Sequence, residues 1–393
     1  MKKVIESKAG FKKALSRELN FYRRNMVDVF VSVSILLCSM VAVTWIFSAG
    51  TLTDLPIAVV DNDGSSQSRT YTRMLEATPE MHIIEKLASP REARELLEQA
   101  SIYAYVLIPK DFGQAIKTGK QTSVTAWYSG QFLTMSGVIL KSLRQVTGTL
   151  SAGINIISLE KRGESKMAAQ VSFNPIQTEL RTLFNPFQNY QYFLIAGLLP
   201  AMLQVFIMIW TVFVVGREFR DQTSAEWISA GRTVLISVLA KVLPLFLLAS
   251  LVGMGCLFWL YGAAGWPIKG SFYLLVFGWE LMIGAYIVLG LLFVAFAPLL
   301  ATALSFAVFF TAPAFAYAGV TFPQQAMPLV ANLWTYLLPI RSLLRLQVEQ
   351  AEIGAPAVHS MPEVLILSAF IILPLPFAIN RIRNRCHALD DNQ

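Results

Sequence analysis

Six long apolar runs dominate this chain, and they are unevenly spaced. A helix needs about 20 apolar residues to cross the hydrocarbon core of a bilayer. Runs of that length fall at roughly 26–49, 191–215, 234–261, 271–297, 299–320 and 361–380. Residues 51–188, between the first run and the second, read as a water-soluble insert, whereas the other gaps are short. Of 393 residues 55% are hydrophobic and only 15% charged; an ordinary globular domain is about 25% charged, so the excess apolar surface must face lipid. The pattern predicts an α-helical polytopic membrane protein with six transmembrane helices and an α/β domain inserted between the first two. A soluble enzyme does not fit it.

Orientation follows from lysines and arginines in the short flanks. Lys2, Lys3, Lys8, Lys12, Lys13, Arg17, Arg23 and Arg24 precede the first run, and Arg381, Arg383 and Arg385 follow the last. Both termini are therefore expected in the cytoplasm, with Arg217, Arg220 and Arg232 on the same side and the insert outside. The +7 net charge is then mostly topological, and a nucleic-acid partner, which needs a basic patch on a folded face, is not expected. The first run is too long for a cleavable signal and no small-residue cleavage site follows it, so it reads as a retained anchor. Cys38 and Cys256 fall within runs and Cys386 in the tail, which gives neither a disulfide framework nor zinc-ligand spacing.

Within residues 4–24, Phe11, Leu15, Leu19 and Tyr22 recur at helical spacing among basic residues. This reads as an elbow helix lying in the membrane interface; a frayed basic tail is the alternative. In the insert, β-rich segments at 56–60, 81–87, 101–109 and 122–129 alternate with helical spacing at 65–77, 89–100 and 110–119, and a long helix-compatible stretch runs from Gln131 to about Arg162. Ser89 followed by Pro90 reads as a helix start. The alternation predicts a small α/β domain with parallel strand pairs. Residues 321–345 are moderately apolar but broken by Pro323, Pro328 and Pro339, and irregular backbone at membrane depth needs protein or a water-filled cavity around it. A re-entrant segment entered from the outer face is the expectation.

Tests for chemistry on this chain fail. The stretch 113–121 has the wrong spacing for a phosphate loop, with Gln121 where Ser or Thr should meet magnesium. Asp61 and Asp63 precede Gly64 too closely for a calcium loop, so an Asx turn is the better reading. His82, His359 and His387 are far apart and no nucleophile motif accompanies them. Two ionisable residues lie inside runs. Glu280, mid-run, is expected either to line a transport route or to be held at a helix interface; Lys241, two turns from the cytoplasmic end, is expected to snorkel to the headgroups. The short segment 216–232 carries charges and two aromatics that insertion does not require. It reads either as a helix that docks into another protein, with Phe219 and Trp227 as apolar anchors and Arg217, Glu218, Arg220 and Glu226 as orienting charges, or as a solvated loop.

At this segment the sequence resembles the permease subunits of type-2 ATP-binding cassette exporters. Gly216, Arg217, Glu218, Thr223 and Glu226 match the family's pattern before the third span, with Gln222 in place of a glycine. Residues 240–244 are similar to its Gly-Lys-x-x-Pro, with Ala240 for glycine, and 318–328 to its Ser-Gly-x-x-x-Pro and Met-Pro signature, with Ala318 for serine. The entry to the second span is similar too, with Ala196 for proline, and 55–69, 104–116 and 124–130 resemble the external domain of the long permeases.

The resemblance implies a permease without catalytic residues, cofactor or metal of its own, which exports amphipathic or drug-like molecules across a bacterial inner membrane. ATP and magnesium would sit on a separate ATPase subunit, and a second permease copy or paralogue would complete the pore, with a periplasmic adaptor and membrane lipid as further partners. It implies a cytoplasmic elbow at 1–25, a first span at 26–49, an extracytoplasmic domain at 50–189, the remaining spans at 190–380 and a cytoplasmic tail at 381–393. The ATPase-coupling helix at 217–229 would use Arg217, Glu218, Phe219, Arg220, Thr223, Glu226 and Trp227, and an outer gate would use Pro323, Met327 and Pro328. The rival reading is a membrane sensor or scaffold; a cation antiporter would need more intramembrane carboxylates than Asp28 and Glu280 supply.

Overall fold

The structure, a computed structural model, describes residues 2–161, 189–319, 322 and 324–390. Two compact units emerge: residues 1–48 with 183–393, and residues 49–182. In the first unit, α1 (Lys2–Arg24) is followed by α2 (Met26–Ile46). The second unit comprises β1 (Leu55–Asp61), α3 (Ser66–Glu76), β2 (Met81–Leu87), α4 (Pro90–Glu98), β3 (Ala104–Ile108), α5 (Phe112–Lys117), β4 (Thr125–Tyr128) and α6 (Leu133–Lys161). The chain then returns to the first unit with α7 (Tyr190–Arg220), α8 (Ser224–Gly231), α9 (Val234–Leu257), α10 (Phe272–Phe296), α11 (Leu300–Thr311), α12 (Ala314–Tyr317), α13 (Leu329–Thr335), α14 (Pro339–Gln347), α15 (Ala357–Ile372) and α16 (Pro374–Asp390).

The smaller unit is built on a four-stranded sheet of order β2-β1-β3-β4, with β2 and β3 parallel to β1 and β4 antiparallel to β3. Parallel strands need helical crossovers, and these cover both faces. Tyr71 and Leu75 of α3 pack on one face with Ile57, Val59 and Val106, while Ala93 of α4 packs on the other with Ala58, Val60 and Tyr105. The turn after β1 is an Asx turn, because Asp61 Oδ1 accepts the backbone N–H groups of Asp63 and Gly64 at 2.9 and 3.0 Å. Asp63 reaches across to accept the N–H of Gly113 at 3.0 Å. Burial raises its carboxyl pKa, but hydrogen bonds from Ser65, Gly113 and Phe112 prevail and hold it below the usual range. Gly119, at φ 71, ends the α5 turn in the left-handed region that glycine tolerates.

Six helical stretches among the described residues are long and apolar enough to cross a membrane: Met26–Ile46, Gln191–Arg220, Val234–Ala263, Phe272–Phe296, Leu300–Tyr317 and Ala357–Cys386. This is a multi-pass membrane protein. α7 and α10 form the centre of the helical unit, and their close approach rests on Gly290, where a Cβ would stand 2.8 Å from that of Thr211. The first span and Leu300–Tyr317 lie at its edges and leave Phe30, Trp45, Phe306 and Phe309 exposed.

Pro200 sits inside α7 and has no N–H to give the carbonyl of Ala196. In a bilayer that carbonyl has no water to turn to. The side chain of Gln347, buried on α14, donates to it at 2.8 Å, and the Trp279 indole fixes the amide by donating to Gln347 Oε1 at 3.3 Å. The proline-containing helix therefore binds a second helix through the hydrogen bond its proline gave up. Replacing Gln347 by Leu is expected to lower the thermal unfolding midpoint in mild detergent, at a cost of about 0.6 kcal/mol, the average for intramembrane side-chain hydrogen bonds; an unchanged midpoint would show that the carbonyl finds another donor.

Candidate functional site

The end of the helical unit that carries α1 also carries the α7–α9 connection and the C-terminal part of α16. Small residues bring α1 close: a Cβ on Gly10 would lie 2.9 Å from the carbonyl oxygen of Gly231, and Ala14 packs with Ala230 and Ala240. Glu18, on the same helical face, is thereby drawn inside and is 1% exposed.

Around Glu18 stands a network of two carboxylates and three cations. Arg17 grips Glu218 with two parallel bonds of 2.9 and 2.8 Å, the fork geometry that suits arginine. Arg217 donates to Glu18 Oε2 at 2.9 Å, and its guanidinium lies over the Phe21 ring. Lys241, fully buried, donates to Glu18 Oε1 at 2.6 Å and to Glu218 Oε1 at 2.7 Å. The Thr223 hydroxyl completes the Glu218 carboxylate. Half-buried Tyr22, near Glu18, has its phenol pushed up to about 12 by desolvation and by that carboxylate, so it stays neutral throughout the physiological range. The network ties α1 to the end of α7 and the start of α9.

The residues expected in the coupling helix separate into two sets. Arg217, Glu218 and Trp227 face inward: Trp227 is 1% exposed, donates its indole N–H to the Ser237 carbonyl at 3.1 Å and lies 5.3 Å from the Lys241 ammonium. Phe219 is half-buried, edge-on to Trp227 and 4.2 Å beneath the Arg385 guanidinium. Thr223 is half-buried as well, while Arg220 and Glu226 reach the surface with Asp221, Gln222 and Ser229. Gln222 has φ 57, the left-handed conformation that explains why a glycine suits this position. Arg385 itself donates to the carbonyls of Val294, Ala297 and Pro298, which closes the end of α10.

Lys241 does not snorkel. It is not exposed to any surface, and its ammonium is held by Glu18 and Glu218 instead. Sequence reading missed Glu18, although the signal was present: it falls four residues before Tyr22 and three after Leu15, so it interrupts the apolar face of an amphipathic helix. Glu280 is half-buried and accepts a hydrogen bond from the Ser250 hydroxyl, which places it between α9 and α10. Met327 is half-buried, and Pro328 is exposed just before α13. Pro323 lies outside the described residues. Nearby, Arg341 is 6% exposed, donates to Gln324 and stacks 4.4 Å from the Tyr336 ring.

Removing one member of a buried charge network leaves its partner uncompensated, at a cost of about 3–5 kcal/mol. Glu18→Gln and Lys241→Met are each expected to cost on that order in thermal or denaturant unfolding of the solubilised protein. The double variant should lose clearly less than the sum, and strict additivity would show that the two do not interact. Gln222→Gly is expected to act in the opposite direction, with a gain of about 1 kcal/mol from relief of the left-handed strain.

A family model for ABC-2 family transporter proteins matches residues 28–379. Among curated proteins, the chain is 22% identical over 301 residues to the Probable multidrug ABC transporter permease YbhR of Escherichia coli (strain K12), a match that covers 74% of this chain and 76% of the relative. It is 25% identical over 247 residues to the Probable multidrug ABC transporter permease YbhS of the same organism, covering 62% and 63%. The chain belongs to the ABC-2 family of transporter proteins, as a membrane-spanning permease subunit and not an enzyme.

Proposed function

We propose that this chain is the permease of an exporter powered by a separate ATPase subunit that binds Mg and ATP, and that the ATPase docks on the exposed face of residues 217–229. One observation carries this reading: the segment is exposed on one side and joined on the other, through Arg217, Glu218 and Trp227, to α1, α7 and α9. A displacement applied to its outer face cannot be absorbed locally, because the buried charges would have to separate in a low-dielectric setting. It would move the elbow helix and two spans together.

Several further features belong to the same proposal. The docking end faces the cytoplasm of a bacterial inner membrane, as its basic residues favour, and the insert lies outside, where it meets cargo or a periplasmic adaptor. A second permease, identical or paralogous, pairs with this one, and the little-covered spans Met26–Ile46 and Leu300–Tyr317 offer the apolar surface for it. The segment from 321 to 345, with Pro323, Met327 and Pro328, forms the outer gate. Both curated relatives carry multidrug in their names, and an amphipathic, drug-like cargo is proposed here on that likeness. The sensor or scaffold reading has no support of its own.

Asp221→Arg with Glu226→Arg reverses charge on the exposed side alone. The expected result is loss of ATPase copurification and of ATP-dependent efflux from inverted vesicles, with the unfolding midpoint unchanged. Full retention of both would overturn the assigned docking face.

A further inference from the structure

Two clefts meet on α1. One, of about 690 Å³, lies between α1 and the 217–229 segment and is lined largely by charged and polar residues. The other, of about 1010 Å³, lies against α1 and the start of α2, where Leu15, Leu19, Met26, Val27, Phe30 and Val33 make it apolar. Exposed Ser16 and Asn20 line both, so the two adjoin across one side of the helix. The polar cleft carries an excess of positive charge. Arg17, Arg217 and the buried Lys241 outnumber Glu18 and Glu218. Arg220 neutralises Asp221 at 2.7 Å, and exposed Lys13 and Arg24 outnumber Glu226. Part of this excess lies inside the protein: Arg217 is 5% exposed, and its Nη1 finds no acceptor among the described residues. An unused N–H on a buried guanidinium is a cost that an anionic oxygen removes.

We propose that the paired clefts hold an anionic phospholipid, with its phosphate in the polar cleft and its acyl chains along α1 and α2. Charge selects the headgroup, since a zwitterionic lipid brings a second cation into a cleft that is already positive, and a neutral one gains nothing from the excess. The groove selects a lipid over a soluble anion or an acidic side chain, because either of those would leave Leu19, Met26, Val27 and Phe30 uncovered. A lipid placed this way bridges the elbow helix and the segment assigned to the ATPase, so transport would depend on anionic lipid. That consequence rests on the transporter reading, whereas the binding does not.

The test uses the full chain without any ATPase, in nanodiscs of equal parts dioleoyl phosphatidylglycerol and dioleoyl phosphatidylcholine, transferred to mild detergent for native mass spectrometry. Wild-type protein is expected to retain the anionic lipid at least about tenfold over the zwitterionic one, a clear step in affinity. Phosphatidylglycerol should also raise the unfolding midpoint in phosphatidylcholine nanodiscs. Lys13→Gln with Arg24→Gln cancels the excess without touching the buried network. It should remove both effects and leave the midpoint in pure phosphatidylcholine unchanged. Val27→Asn with Phe30→Asn should weaken retention through the groove. Equal retention of the two lipids overturns the proposal. So does equal protection by soluble glycerol phosphate, which would show that the groove plays no part. Retention of neither lipid overturns it too, and would leave the positive cleft to an acidic partner or a second copy. Charge-selective retention, with efflux in ATPase-containing vesicles indifferent to phosphatidylglycerol, would keep the site and remove only its part in transport.

Discussion

Burying Glu18, Glu218, Arg217 and Lys241 together, with half-buried Arg17 at the rim, is the constraint on which the α1 end of the helical unit depends. An ionised group taken out of water costs several kcal/mol even after relaxation, so none of the four buried ions could be there alone. Each is tolerable because the network's members come from different elements: two from α1, two from the last turn of α7, one from α9. The network therefore acts as a fit test for the whole end, and it is satisfied only when the helices arrive in register. Apolar packing of Ala14 against Ala230 and Ala240 brings the backbones near enough, and the charges then fix which arrangement is accepted.

The same logic operates deeper in the bundle with neutral groups. Pro200 withdraws one hydrogen bond from α7, and Gln347 supplies it from α14. The Gln350 amide donates to Ser360 and the Ala355 carbonyl, and its oxygen accepts from Ser271. Arg385 closes the end of α10. In each case a local departure from regular helix is repaired by a side chain distant in sequence, which is what an environment without water demands. Such repairs confer little net stability but much specificity, because a wrong packing leaves the orphan exposed to hydrocarbon.

Much of the architecture could be read from the chain. The apolar runs located all six spans, since the length of a hydrophobic run is set by bilayer thickness alone. The strand segments of the insert, such as 81–87, were legible from β-rich composition bounded by turn residues, and Ser89 marked a helix start through capping. The Asx turn at Asp61 was legible for the same local reason. The candidate site was legible only in outline: the segment 216–232 stood out, but which of its residues point inward did not. Trp227 looked like an anchor for a partner and is instead an internal one, and Lys241 looked like a headgroup anchor and is an internal ion.

Sequence by itself determined the number of spans, the family pattern and the local turns, because these depend on hydrophobic length, residue type and short-range backbone geometry. Tertiary structure alone decided that Glu18 meets Arg217 and Lys241, residues 199 and 223 positions away. Whether a charge is paired depends on which helices become neighbours, and neighbour choice is settled by the summed packing and desolvation of the whole bundle rather than by any one segment.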